Sequence, residues 1–153
     1  MNTTTKVLIL MLGGLLILTC MGCYGLIQIH QARQEAKLIE FRNTAQRLGF
    51  EPTLNGVAEY IQRSINTGMS RNKVEQVLSN IAPLEVERGE LNKDSRAGWG
   101  PIACDQIWLD LSALLTGGPV PIHACYDKIG GLVAMDFAEA DLPSLEIYAP
   151  FRE

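Results

Sequence analysis

The spacing of hydrophobic residues changes three times along the chain, and each change marks a different kind of segment. From Val7 to Ile29 the sequence VLILMLGGLLILTCMGCYGLIQI runs 23 residues without a charge. Residues 28–48 then carry two partial stripes at three- and four-residue spacing: Ile29, Ala32, Ala36, Ile39, and Leu38, Phe41, Ala45, Leu48. That spacing places side chains along one side of a helix. The stretch has neither Gly nor Pro, so the helix is expected to run to Leu48, with Gly49 and Pro52 ending it. Such stripes suit a coiled coil or partner surface, or a stalk whose last turns dock on a domain; no heptad persists, which favours the stalk.

Two short amphipathic segments follow. Residues 57–67 place Val57, Tyr60, Ile61 and Ile65 on one side, and residues 71–81 do the same with Val74, Val77, Leu78 and Ile81. Gly68 is suited to stop the first helix and Ser70 to cap the second, with Pro83 just past its end. Residues 84–100 are polar and read as a loop that can open with a short strand at 84–87. The period then falls to two. Ile107, Leu109, Leu111 and Ala113 alternate with Gln106, Trp108, Asp110 and Ser112, as on a half-buried strand. Gly117, Gly118 and Pro119 make a turn, and residues 122–126 form a second strand with Ile122, Ala124 and Tyr126 on one face. After a turn at 127–131, a third strand over 132–137 aligns Val133, Met135 and Phe137. The tail, with Leu145, Ile147, Tyr148 and Phe151, suits a terminal strand or a strap.

This pattern predicts an α+β chain: an N-terminal transmembrane helix plus a small two-layer domain, two helices packed on a three-stranded antiparallel sheet. The expected boundaries are a transmembrane anchor at 1–29, a juxtamembrane helix and linker at 30–56, and the domain at 57–153. A bilayer core takes about 20 apolar residues in a helix, so residues 7–29 suffice for a single pass in contact with membrane lipid. A cleaved signal would be shorter and end at a small-x-small site, which is missing. Lipidation is the other alternative. Cys23 follows the small Gly22, but Cys20 stands three residues upstream where Leu is expected. The positive-inside rule counts Arg33, Lys37 and Arg42 after the span against Lys6 before it, which favours a cytoplasmic domain. The cysteines favour the opposite, extracytoplasmic placement in a cell envelope, and that is the expectation adopted.

Charge narrows the partners. Residues 30–98 hold ten Lys/Arg against nine Asp/Glu, whereas residues 99–153 hold only Lys128 and Arg152 against eight acids. A surface of that sign repels phosphates, so no nucleic-acid partner is expected. No cofactor motif, internal repeat or catalytic signature is present.

Cys104 shares parity with Gln106 and Trp108, and Cys125 with His123 and Asp127, so both cysteines fall on the face opposite the apolar set of adjacent strands. Neighbouring strands can supply the Cα separation a disulfide requires. Closing such a loop stabilises by about 3 kcal/mol on a chain-entropy account. The bond persists only in an oxidising compartment; two free thiols are the alternative. A turn centred at Gly117–Gly118 pairs the cysteines only if a bulge or asymmetric loop shifts the strands.

Cys104, His123, Cys125 and Asp127 have metal-ligand chemistry, but alternate residues of one strand, as in His123-x-Cys125-x-Asp127, stand about 7 Å apart, wide for one ion. A Cys125–His123 nucleophile needs closeness and an orienting group. Cys20 and Cys23 have CxxC spacing within the apolar run, where neither haem attachment nor thioredoxin-like chemistry is expected. Trp108, on the same face as the cysteines, suits a protein-binding hot spot or packing on the disulfide.

The run from Ile65 through Gly68-Met69-Ser70 and Val74 to Leu78, ending at Pro83, resembles the helix-pair signature of the SmpA/OmlA (BamE-like) small envelope lipoprotein domain. Tyr126-Asp127 and Gly131-Leu132-Val133 are similar to that family's last hairpin. The resemblance covers about residues 60–137. Ser79-Asn80-Ile81-Ala82 stands where the family has a Gly before the Pro. It implies a two-helix, three-strand domain with a non-catalytic role in envelope assembly or protein interaction, and it carries over no active-site residue. The expected function is therefore a membrane-anchored scaffold, assembly factor or accessory subunit with a protein partner. The alternatives are a thiol-dependent enzyme and a small-ligand or lipid-binding domain.

Overall fold

The computed structural model describes residues 3–92, 101–115, 118–137, 143 and 145–149, with the side chains of 3–23, 26, 91, 92 and 146 outside that description. Three helices precede six strands: α1 (Thr3–Leu48), α2 (Leu54–Ser64), α3 (Arg71–Ser79), β1 (Leu84–Glu87), β2 (Leu91–Asn92), β3 (Ile102–Leu109), β4 (Val120–Asp127), β5 (Leu132–Phe137) and β6 (Glu146–Tyr148). The chain divides into two compact units, Met1–Lys37 and Leu38–Glu153.

In the first unit, α1 carries no break at residue 29, the expected end of the anchor. Among the described residues no helix is long and apolar enough to cross a membrane. The expectations of a single-pass anchor at 1–29 and of a domain held at a cell membrane are corrected on that finding. Gln28, His30, Gln31, Arg33, Glu35 and Lys37 interrupt the described part of the helix with polar groups. Cys20 and Cys23, the lipidation alternative included, lie outside the described side chains.

The second unit is built around one core. On α1 the stripe ending at Leu48 turns inward, with Phe41 and Ala45 buried, while Ile39 of the other stripe stays exposed. Gly49, at φ +74°, lets the chain reverse, and Phe50 stacks edge-on against Phe41 with ring centroids 6.0 Å apart. α2 starts three residues earlier than the apolar pattern predicts. Thr53 caps it, its Oγ1 accepting from Gly56 N at 3.1 Å. Gly56 also packs against the Glu51 carbonyl, where a Cβ would stand 2.1 Å from the oxygen. α2 buries Val57 and Ile61, and α3 buries Val74 and Leu78. Ser70 occupies the expected cap position of α3, but its side chain makes no capping bond; its carbonyl accepts from Lys73 N and Val74 N instead.

The sheet is larger than the three strands expected. Its order is β1-β3-β4-β5-β6, all antiparallel, with the two-residue β2 also pairing with β3. The fold class is corrected accordingly, to three helices with a sheet of five strands in line. β1 and β6 are only four and three residues long, too short for alternation to separate them from loop. β3 stops at Leu109 rather than running on to Ala113. Asp110 Oδ1 accepts from Ser112 N, and Leu114 N and Leu115 N turn back to the Leu111 carbonyl, while Leu111 stays fully buried.

β5 departs from simple alternation. Met135 and Phe137 pair with Ala124 and Ile122 as expected, but the register shifts between Cys125 and Tyr126, so Leu132 rather than Val133 lies beside Tyr126 in the core. The β4–β5 turn is tied to the α2–α3 connection: Gly68 N donates to Leu132 O, and Leu132 N to Met69 O.

Candidate functional site

β3 and β4 pair Cys104 with Cys125, Gln106 with His123, Ile107 with Ile122 and Trp108 with Pro121. One register therefore assigns every side chain of the central strands to one of two faces. The helix-covered face carries Ala103, Asp105, Ile107 and Leu109 from β3, with Val120, Ile122, Ala124 and Tyr126 from β4, all of them buried.

Asp105 is the exception in chemistry. It is 0 % exposed in the midst of the apolar set. Its Oδ1 accepts from Gly89 N at 3.1 Å, and Oδ2 lies 2.9 Å from Arg88 Nη1 and 3.3 Å from Arg71 Nε. Arg88 also pairs with Glu75 at 2.6 Å, and the two carboxylates, Glu75 first, hold its guanidinium pKa above the ordinary value. Arg71 stacks over the Tyr126 ring, its Cζ 5.0 Å from the centroid. The Tyr126 hydroxyl is buried without a hydrogen-bond partner among the described residues. Burial, and then the negative charges of Asp105 and Glu75, raise its pKa, so it stays a neutral phenol. This cluster clamps α3 and the β1–β2 connection to the sheet: Arg71 starts α3, Arg88 and Gly89 follow β1, and Asp105 is the shared anchor. Gly89 fits because it lies against the Cys104 carbonyl, which a Cβ would meet at 1.8 Å. Sequence reading overlooked the cluster, although one signal was available: Asp105 has the parity of Ile107 and Leu109.

The outer face reads across the sheet in three rows. Glu85, Trp108 and Pro121 form the first; Glu87, Gln106, His123, Asp136 and the Glu146 position form the second; Cys104, Cys125, Ala134 and Tyr148 form the third. Cys104 and Cys125 lie opposite each other with their sulfurs bonded at 2.00 Å. The pairing does not come from a turn at Gly117–Gly118. Leu109 pairs with Val120, so the register is centred midway along the connection 110–119 and not at Gly117–Gly118. Trp108 stands four residues from Cys104, about 13 Å along the strand, so it does not pack on the disulfide. Its neighbours across the strands are Glu85 and Pro121, and it remains partly exposed. Tyr148 is 50 % exposed and donates to Asp136 Oδ2 at 3.3 Å. His123 Nδ1 is 3.7 Å from the other oxygen of the same carboxylate.

The chemical alternatives lose their groups to these arrangements. The Cys125 sulfur is bonded to Cys104, leaving no thiolate beside His123. Asp127 Oδ1 accepts from Ile129 N and Gly131 N, which closes the β4–β5 turn. No group of three His, Cys, Asp or Glu among the described residues is placed to hold a metal ion. A cleft of about 690 Å³ lies elsewhere in the second unit, lined by Arg42, Gln46, Phe50, Glu51, Glu59 and Arg63. Its two arginines and two glutamates offset each other, which defines no ligand chemistry.

No family model, curated protein or solved structure matches this chain.

Proposed function

We propose that residues 38–153 form a non-catalytic protein-binding module, a scaffold or accessory subunit that docks its partner on the outer face of the sheet. The observation that carries this reading is the face itself: Trp108 and Tyr148 stand partly exposed beside a row of polar side chains, on a rigid sheet whose other side is a filled core. Aromatic residues on a pre-organised surface contribute contact area at small entropic cost, and protein interfaces are enriched in them. The disulfide holds the two central strands of that face in one register. A non-catalytic interaction role is also what the resemblance to the SmpA/OmlA domain implies, and the reading shares it.

A photo-crosslinking amino acid tests this proposal. Placed at Gln106, in the middle of the outer face, it is expected to trap one discrete partner in cells, and Trp108→Ala is expected to abolish the adduct. The same probe at Gln76 on α3 serves as the control. Equal trapping at both positions, or an adduct indifferent to Trp108→Ala, removes the outer face as the docking surface.

A further inference from the structure

The sign of charge on the outer face points to the partner's chemistry. Glu85 and Glu87 are exposed on β1, Asp136 lies on β5, and the Glu146 position ends the same row on β6. None of the six strands contains a Lys or Arg. Arg71, at the start of α3, and Arg88, just after β1, direct their guanidinium groups to the buried Asp105 on the helix-covered face. Neither Glu85 nor Glu87 makes an ion pair with a described residue. Among the described residues, Glu85 and Glu87 thus have no cation, and Asp136 has only His123 near it, at 3.7 Å.

We infer that the partner is a cationic protein segment, presenting Lys or Arg next to an apolar side chain. The inference rests on the reading of the outer face as a docking surface. An anionic segment would meet like charge at Glu85, Glu87 and Asp136, which disfavours docking. A neutral segment would strip water from the carboxylates without giving them a counter-charge. A cation satisfies them, and Trp108, directly opposite Glu85, adds a π face beside the carboxylate. That juxtaposition of ring and acid suits a guanidinium, which stacks and pairs at once.

The test uses the full chain with its disulfide intact and three synthetic peptides of equal length. Leucine alternates with arginine in the first, with serine in the second and with glutamate in the third. Assigned backbone amides and the Trp108 indole N–H are followed by NMR. The arginine peptide is expected to shift Glu85, Glu87, Gln106 and the Trp108 indole, the glutamate peptide none of them. Glu85→Gln with Glu87→Gln is expected to weaken the arginine peptide about fivefold to tenfold, and Trp108→Ala about tenfold. Raising salt from about 50 to 300 mM is expected to weaken it further. Both substituted glutamates are exposed, and near-UV circular dichroism verifies that the variants fold.

If the serine peptide binds the same residues as tightly and the Gln variants change nothing, the docking face stands and the cationic partner is overturned. If the arginine peptide shifts only residues away from the outer face, or binds there without sensitivity to Trp108→Ala, the inference is overturned as an unspecific charge effect. If no peptide moves the outer face, the docking reading falls and the inference with it.

Discussion

The two faces of the sheet are made of alternate residues of the same strands, yet they solve opposite problems. On the helix-covered side Ile107, Ile122 and Met135 are fully buried, and the one carboxylate among them, Asp105, is surrounded by donors. On the outer side Glu87, His123 and Asp136 face water along a single row. A buried charge without partners is expensive, so the inner acid has to be answered within the chain; solvated outer acids need no answer and remain available. Answering Asp105 uses Arg71 and Arg88, and none of the described strands contains a Lys or Arg to meet the outer acids.

The largest expected effect comes from breaking the inner cluster. Asp105→Ala should destabilise the domain by about 3 kcal/mol, the low end for a broken buried pair, because Arg71 and Arg88 are 31 % and 46 % exposed and water reaches them. Urea unfolding monitored by circular dichroism measures it; a loss below about 1 kcal/mol would show that the clamp is not what holds α3 and the β1–β2 connection.

Next is the link between strands on the outer side. Reducing the Cys104–Cys125 bond, or replacing both cysteines by serine, should cost about 3 kcal/mol on the chain-entropy account. Thermal unfolding with and without reductant reads this out. An unchanged midpoint would mean that strand pairing and the core hold the register without help.

A smaller effect, of opposite sign, is expected at Tyr126. Its hydroxyl is buried without a partner, so Tyr126→Phe should be neutral or stabilising, by up to about 1 kcal/mol. Burial raises its folded-state pKa above the ordinary tyrosine value of about 10, so its contribution is fully present below that value and fades as pH rises through the unfolded and then the folded pKa. The wild-type melting temperature should therefore fall more steeply above about pH 10 than that of Tyr126→Phe. Parallel slopes would mean that the ring is not shielded from hydroxide.

The smallest stability effect belongs to the outer acids. Glu85→Gln with Glu87→Gln should change unfolding free energy by no more than about 0.5 kcal/mol, since both are exposed and unpaired among described residues. A larger loss would reassign them from binding to folding.

Much of this was readable in the residues. The 3.6-residue periods of 57–67 and 71–81 located α2 and α3, though Thr53 rather than Val57 marks the start of α2 because a side-chain cap, not apolar spacing, sets it. The period of two located β3, β4 and β5, with the cysteines and Trp108 on the outer side. The short edge strands β1 and β6 gave too few alternations to be separated from loop, and the bulge beside Tyr126 moved Leu132 into the position expected of Val133. The expected membrane anchor came from the uncharged run Val7 to Ile29 and its length. Among the described residues no helix meets the length and apolarity required.

Residue order by itself determined which side chains share a face, because parity along a strand and 3.6-residue spacing along a helix are local geometry. It also determined that the described strands would contain no Lys or Arg. Only the tertiary structure decided which of those side chains meet. Cys104 meets Cys125 only through the register in which β3 pairs with β4. Arg71 from α3 and Arg88 from the β1–β2 connection are brought to Asp105, and Glu75 of α3 pairs with Arg88. Such convergence depends on packing between segments distant in the chain, and no periodicity within one segment encodes it.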